Sequence, residues 1–399
     1  MQLVVTIHEK TQQAAIDAIR AIRDDHDMVE VRLDAFGGRD TAPFRGITPK
    51  PMIFTNRGGE PVQSDFGLID VEYGRDVKHP DRTVLSFHDF NGMPDVPSLV
   101  REMLAQNCRH TKIAVTPKTL RENEMLVDAI QPGVTIIGMG DAGLYARVLA
   151  PFLGSELFFA GNAAPGQIGL DRALPIYGDR KLRRPEKIFA IAGYPARQSL
   201  SPTIHNPLFR KNGVPGAYTI ASFETFAEIA EAFEAERIAG LSVTAPFKGD
   251  ALAFAKRIGA DVRPNAAEAE AVNTLVRTKR GVIADNTDVD GFETLLRGVH
   301  ATRAAVAGAG ATARAAVVAL RRAGKEVRMY NRTPKLGTEP LENLSAFRGD
   351  LVVDTLPAGV HVPIPAGMTV IAAAYDRGGI SLLQAQAVRQ NALFLEAFR

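Results

Sequence analysis

Two short segments place ionisable side chains where folded chains seldom tolerate them. Lys112 lies inside the apolar run TKIAV at 111–115, and His88 follows the apolar run at 83–87 in SFHDF. Lysine is almost never fully buried without a partner or a purpose. A desolvated lysine near other cations can shed its proton and attack a ketone, and a nearby histidine can then serve as general acid and base. Either residue alone is more often structural, the lysine snorkelling or salt-bridged. The pair, on neighbouring apolar runs, points to imine chemistry. Glu30, Arg32, Arg57, Glu72 and Arg147 end or follow other segments of the same half. The second signal is AAVAGAGATARAAVVALRRAG at 304–324, followed by EVRMYN. Gly308, Gly310, Ala311 and Ala313 form a G-x-G-x-x-A turn, whose small residues let a pyrophosphate approach a helix N-terminus. The next strand ends at Asn331, Arg332 and Thr333. Dinucleotide sites often place an acid there for the ribose hydroxyl, whereas an arginine suits a 2′-phosphate.

Something must hold these residues. Eight apolar runs read as buried strands, at 3–7, 29–33, 52–55, 68–72, 83–87, 111–115, 134–139 and 157–160. Helical patterns at 11–23, 96–107, 120–130 and 142–152 follow several of them. This predicts an α/β fold opening with a (β/α)8 barrel, whose polar residues cluster at the C-terminal strand ends where barrels carry their sites. The connections at 35–51, 56–67 and 73–82 are short and rich in Gly and Pro. They leave little room for crossover helices. The reading is therefore a barrel with reduced outer helices and bare outer faces on strands two to four. A bare apolar face of that size marks an interface, with the rest of the chain or with a second copy in a homodimer. A charged linker, YGDRKLRRPE at 177–186, precedes a second alternating region with the Rossmann-type unit.

Residues 1 to about 178 resemble type I 3-dehydroquinases in EVRLD, FTNR, SFHDF, TKIAVTP, MGDAGLYARVLAP and AAPGQI, in that order. The resemblance implies an imine between Lys112 and 3-dehydroquinate, with proton transfer by His88. It implies a substrate site lined by Glu30, Arg32, Arg57 and Gln167, with Arg147 on the carboxylate. Ala146 and Ala163 stand where the family usually has Ser, and the segment after Arg57 is shorter than usual.

The region 187–399 resembles shikimate dehydrogenases in AGYPARQSLSPTIHN, GLSVTAPFK, AVNTL, ADNTDVDGF, GAGATARA, YNRT and LLQAQA. This implies a substrate domain over 187–297 completed by 380–399, and a Rossmann NADP domain over 298–379. Lys248 and Asp288 would be the catalytic dyad. Ser199 and Ser201 would bind the substrate carboxylate, and Thr244, Asn273 and Gln386 its hydroxyls. Ser-x-Ser-Pro also reads as a helix start. Asp354 replaces the usual Asn, and the chain is shortened between Tyr375 and LLQAQA.

The implied function is a two-step enzyme of the shikimate pathway, dehydrating 3-dehydroquinate and reducing 3-dehydroshikimate with NADPH. Two alternatives stay open: a dehydrogenase whose barrel is only a scaffold, and a quinate-type enzyme using NAD. A net charge of +2 without a basic run argues against nucleic-acid partners. The single Cys108 forms no intrachain disulfide and no cysteine cluster exists to hold zinc. With no signal-like or membrane-length apolar stretch, a cytoplasmic location and small-molecule substrates are expected.

Overall fold

The computed structural model describes residues 1–23, 25–333 and 335–399. The chain forms two compact units, one of Met1–Ile188 with Pro195–Glu224, the other of Phe189–Tyr194 with Thr225–Arg399.

The first unit is built on eight parallel strands, β1 (Gln2–Ile7), β2 (Met28–Arg32), β3 (Met52–Thr55), β4 (Leu68–Glu72), β5 (Thr83–Asp89), β6 (His110–Val115), β7 (Val134–Gly138) and β8 (Leu157–Ala160). Their order is β7-β6-β5-β4-β3-β2-β1-β8. Closure between the ends of this order uses one backbone bond, Glu156 N to Val134 O at 3.4 Å, and side chains. Leu157 N donates to Thr135 Oγ1 at 3.1 Å, and Ile136 N donates to Ser155 Oγ at 3.2 Å. Among the described residues the barrel carries helices α1 (Gln12–Ala21), α2 (Val96–Leu104), α3 (Leu120–Asp128), α4 (Leu144–Leu153) and α5 (Leu170–Tyr177).

The alternation of strand side chains divides the barrel interior into two layers. Val4, Met28, Ile53, Leu68, Val84, Leu157 and Phe159 belong to one apolar cluster. Two residues further along their strands, Thr6, Glu30, Thr55, Asp70 and Ser86 are buried and polar. The register pairs Thr6 with Glu30, Glu72 with Ser86, and Ser86 with Lys112. Where the register sets a polar residue opposite an apolar one, a diagonal bond joins the polar layer, Thr55 to Glu30 and Ser86 to Asp70, on an apolar floor.

No α-helix intervenes between β2 and β5 among the described residues, as the Gly/Pro content predicts. The expectation of bare outer faces fails, however. Val29, Val31, Met52, Phe54, Ile69 and Val71 pack under Phe44 and Val62, with Phe36, Ile47 and Phe66 partly buried against them. The ring of Phe54 lies 5.9 Å from Phe44 and 5.4 Å from Phe66. A loop that turns a phenyl ring inward covers a strand as well as a helix would, so breakers alone do not expose a face.

The packed face lies elsewhere. Every residue of α4 from Leu144 to Phe152 is buried, the mark of a helix enclosed on all sides. The segment after β9 (Lys187–Gly193) supplies α6 (Ser201–Lys211) and β10 (Gly216–Ser222) to the same unit. Thr219 Oγ1 donates to Tyr145 O at 2.9 Å, and Arg210 Nη1 donates to Ile176 O at 2.5 Å.

The second unit contains α7 (Phe226–Glu234), β11 (Gly240–Val243), α8 (Lys248–Arg257), β12 (Asp261–Val262), α9 (Pro264–Glu268), β13 (Thr274–Thr278), β14 (Gly281–Asp285) and α10 (Thr287–Leu295). β9-β11-β13-β14-β12 lie side by side in a mixed sheet. Then come β15 (Arg303–Ala307), α11 (Ala311–Arg322), β16 (Glu326–Asn331), β17 (Thr338–Pro340), β18 (Leu351–Asp354), β19 (Thr369–Ala372) and α12 (Ile380–Leu395). The order β17-β16-β15-β18-β19 is all parallel, so the nucleotide-type turn after β15 falls where strand order reverses.

Candidate active sites

A cavity of ≈ 120 Å³ opens within the barrel unit. It is lined by Glu30, Arg32, Arg57, His88, Lys112, Arg147, Ala163 and Gln167, so the barrel residues singled out from sequence converge. Lys112 is only 5% exposed. Its Nζ lies 3.6 Å from Asp70 Oδ2, 3.8 Å from Glu30 Oε1 and 4.2 Å from the centre of the Phe159 ring. Glu30 is itself occupied, accepting from Thr6 Oγ1 and Thr55 Oγ1 at 2.8 Å each. Gln167 Nε2 donates to Thr6 Oγ1 at 3.0 Å and extends this chain.

His88 is oriented by Glu72. Its Nδ1 lies 3.0 Å from Glu72 Oε2, and its backbone N donates to Glu72 Oε1 at 2.9 Å. Burial raises the Glu72 carboxyl, but the His88 hydrogen bond and charge outweigh it and hold Glu72 below its ordinary value. An ionised carboxylate only accepts, so the imidazole carries its proton on Nδ1 and leaves Nε2 as the base. Burial lowers the His88 pKa from its ordinary value, despite Glu72. Neutral imidazole is therefore the form available at neutral pH. Phe90 stacks on the ring at 6.0 Å and is 55% exposed.

Sequence reasoning missed Asp70. Arg57 Nη2 donates to it at 3.1 Å and Ser86 Oγ donates to it at 2.7 Å. Burial alone would raise its carboxyl, but Arg57 and Lys112 beside it hold it well below the carboxylate range. Its position in LIDVE, two residues before Glu72 and on the same strand face, was the available signal. Arg147, fully enclosed, donates from Nη1 to Pro165 O at 3.0 Å. Burial brings it down to about 10, with the nearby Arg197 adding to the effect.

In the second unit Lys248 begins α8 and ion-pairs with Asp288 in the first turn of α10. Lys248 Nζ also donates to Thr312 Oγ1 at 3.1 Å, which ties the dyad to the glycine turn. Asn273 Nδ2 donates to Asp288 Oδ1 at 2.9 Å, and Thr287 N donates to Asn273 Oδ1 at 2.8 Å. Thr287 Oγ1 donates to Gln386 Oε1 at 2.8 Å. Gln386 is thus the buried member of the LLQAQA pair, while Gln384 is exposed. Thr312, Thr287 and Gln390 were not singled out from sequence. Gln390 Nε2 donates to Thr274 Oγ1 at 2.7 Å. Thr244, half-buried, lies in the turn before α8. Ser199 and Ser201 belong to the first unit, with hydroxyls 3.1 Å apart.

The turn after β15 has the form a dinucleotide needs. Gly308 adopts φ +113, and a Cβ there would meet Thr355 Oγ1 at 2.5 Å. A Cβ on Gly310 would meet nothing within 4 Å, leaving the N-terminus of the twelve-residue α11 open. Ala313 is buried in the core beside Val289 and Phe292 of α10. Arg332 is exposed just beyond the end of β16. These residues fit a dinucleotide with a 2′-phosphate.

Residues 62–182 match the type I 3-dehydroquinase family model, and residues 191–275 match the shikimate dehydrogenase substrate binding domain. The chain joins a type I 3-dehydroquinase domain to a shikimate dehydrogenase domain. It is 30% identical over 312 residues to the shikimate biosynthesis protein AroDE of Chlamydia pneumoniae, covering 71% of this chain and 64% of that one. It is 27% identical to the bifunctional 3-dehydroquinate dehydratase/shikimate dehydrogenase, chloroplastic, of Arabidopsis thaliana, covering 66% of this chain and 51% of the relative. The chain thus spans roughly half to two thirds of these relatives' length. The dehydroquinate dehydratase and shikimate dehydrogenase portion of the S. pombe AroM protein aligns with a TM-score of 0.40 at 20% identity, covering 100% of this chain and 98% of that one.

The departures from family pattern have local explanations. Ala146 of the dehydroquinase domain is buried in the apolar cluster with Val115 and Leu126 rather than in the cavity lining. Ala163 does line the cavity, and its backbone N donates to Gln167 Oε1 at 2.7 Å. In the dehydrogenase domain two departures meet. Asp354 Oδ2 lies 2.9 Å from Arg377 Nε, and Arg377 comes from the shortened segment after Tyr375. A carboxylate at this buried position has its counter-charge. Among the described residues no group of three or more His, Cys, Asp or Glu is placed to hold a metal, and no helix is long and apolar enough to cross a membrane.

Proposed function

We propose that the chain catalyses two consecutive steps, dehydration of 3-dehydroquinate to 3-dehydroshikimate and NADPH-dependent reduction of that product to shikimate. The observation that carries the reading is the convergence of a buried lysine and a carboxylate-oriented histidine in one barrel cavity, in a chain that also pairs Lys248 with Asp288 beside a nucleotide turn. Lys112 condenses with the substrate ketone. The imine draws electrons from the neighbouring carbon, and His88 Nε2 removes its proton. The proton returns to the departing hydroxyl, and water then releases Lys112. Arg147 takes the carboxylate; Glu30, Arg32, Arg57 and Gln167 line the rest of the substrate site.

In the second step NADPH would supply the hydride when bound, leaving as NADP+. Lys248 and Asp288 stabilise and protonate the oxygen that becomes the new hydroxyl. Asn273, Thr244 and Gln386 receive the substrate's other hydroxyls, and Ser199 and Ser201 its carboxylate. Gly308, Gly310, Ala311 and Ala313 would seat the pyrophosphate, with Asn331, Arg332 and Thr333 at the 2′-phosphate. The domains proposed for this are 1–178, 187–297 with 380–399, and 298–379. The lone thiol Cys108 accords with a reducing, cytoplasmic setting.

The deciding experiment is incubation with 3-dehydroquinate and NADPH. Shikimate should accumulate as NADPH is consumed. Product stalled at 3-dehydroshikimate would remove the second activity, and unconsumed 3-dehydroquinate the first. The cofactor choice has its own test. Arg332→Ala should weaken NADPH roughly tenfold, the scale of one charge-assisted contact, and leave NADH unaffected. Equal losses for both cofactors in a steady-state comparison would rule out the 2′-phosphate role.

A further inference from the structure

We propose that Arg172, on the last helix of the dehydroquinase barrel, is a positioning residue for the substrate-binding serines of the dehydrogenase. Arg172 Nη1 donates to Arg197 O at 3.0 Å, and its Nη2 donates to Ser199 O at 2.7 Å. Both carbonyls belong to the irregular segment that leads into α6. Among the described residues that segment is otherwise held by a turn bond from Ser199 N to Ala196 O at 3.0 Å, by Ala196 N donating to Ser222 Oγ at 3.0 Å, and by Arg197 Nε 3.9 Å from Asp141 Oδ1, and none of these reaches the Ser199 carbonyl. The base of the grip is firm. Arg210 donates to Ile176 O and Pro175 O at 2.5 and 2.6 Å, and Tyr177 Oη donates to Val148 O at 3.2 Å, so α5 is tied at its far end.

A guanidinium is a planar fork with fixed donor directions, so two carbonyls held by one arginine are fixed in direction as well as distance. Pinning Ser199 O sets the direction of its Cα–Cβ bond. Ser199 Oγ donates to Ser201 Oγ at 3.1 Å and accepts from Ser201 N at 3.3 Å, which passes that orientation to the second serine. Without Arg172 both hydroxyls remain present but lose their shared aim. Such a loss weakens binding of substrate and transition state alike, which raises KM and spares kcat. The barrel thereby serves the second reaction through a side chain that touches neither substrate.

The inference rests on the reading of Ser199 and Ser201 as carboxylate ligands, so the experiment carries a Ser199→Ala arm. Full-length Arg172→Ala should raise KM for 3-dehydroshikimate roughly tenfold, with kcat within about threefold and KM for NADPH unchanged. Arg172→Lys, with a single point donor, should recover part of the loss. Melting temperature and dehydratase kcat should stay near wild type in both. An unchanged KM in Arg172→Ala, beside a raised one in Ser199→Ala, overturns the positioning role alone. An unchanged KM in Ser199→Ala overturns the carboxylate reading and this inference with it. A joint fall of kcat, dehydratase rate and melting temperature would mark Arg172 as merely structural. If Arg172→Ala does not fold, Arg172→Gln, which keeps one donor, takes its place with the same KM criterion.

Discussion

Lys112→Ala should abolish dehydration of 3-dehydroquinate, by something on the order of 10⁴–10⁶-fold in kcat, the scale felt when a covalent nucleophile is removed. Reduction of 3-dehydroshikimate should be nearly unchanged, because Lys248 and Asp288 owe nothing to β6. The geometry explains the size of the effect. Lys112 Nζ stands 3.6 and 3.8 Å from two carboxylates, beyond hydrogen-bond length, so it is placed by them without being consumed by either. Each oxygen of those carboxylates already accepts from another side chain, Arg57 and Ser86 on Asp70, Thr6 and Thr55 on Glu30. Among the described residues lining the cavity, Lys112 is the one primary amine, the group that imine formation requires. His88 would still be oriented in the variant, but without the imine there is no electron sink to make the neighbouring proton acidic. Borohydride should trap substrate on the wild-type chain and not on Lys112→Ala, read as a mass increment on the peptide containing TKIAV. Dehydration retained by the variant, or trapping at another lysine, would remove the imine assignment.

The sequence carried this site unusually far because strand alternation is a strong constraint. Polar side chains inside apolar runs must share one face, and parallel register then sets them side by side. Glu30, Lys112 and His88 were legible for that reason. Asp70 obeys the same rule in LIDVE, two residues inside the strand end, and is more deeply enclosed than Glu72. What could not be read is what depends on contacts between distant segments. The Gly/Pro-rich connections do exclude helices, yet Phe36, Phe44 and Phe66 turn them into cover for β2–β4. No local pattern says where a loop phenylalanine will point. Likewise the nearly all-apolar α4 signals that it is enclosed, but not that β10, whose Thr219 donates to Tyr145 O, is what encloses it. The pairing of Asp354 with Arg377 joins two positions that each look anomalous alone.

Lys248→Ala should lower turnover of 3-dehydroshikimate by roughly 10²–10⁴-fold, with a much smaller change in KM for NADPH. Reduction of a ketone places negative charge on oxygen, and the site must offer a cation or a proton at that atom. Lys248 is the cation. Burial to 8% exposure removes competing water, and contacts to Asp288 and Thr312 hold the ammonium rather than leave it to swing on its stem. Asp288 is fixed in turn by Asn273, whose own carbonyl accepts from Thr287 N and Thr274 Oγ1 at 2.8 Å each. The ammonium is thus preorganised, and preorganised charge is what differs between transition state and ground state. Among the described residues the Thr312 contact is the hydrogen bond that links the Lys248 side chain to the nucleotide turn, and losing that one bond is small beside losing the charge at the reacting oxygen. Lys248→Arg separates the two duties. Arginine keeps the charge but cannot give up a proton. If charge alone matters, Lys248→Arg recovers much of the rate; if the proton comes from Lys248, it remains as slow as Lys248→Ala. An alanine variant with wild-type turnover, or one whose defect lies wholly in NADPH binding, would take Lys248 out of the chemistry altogether.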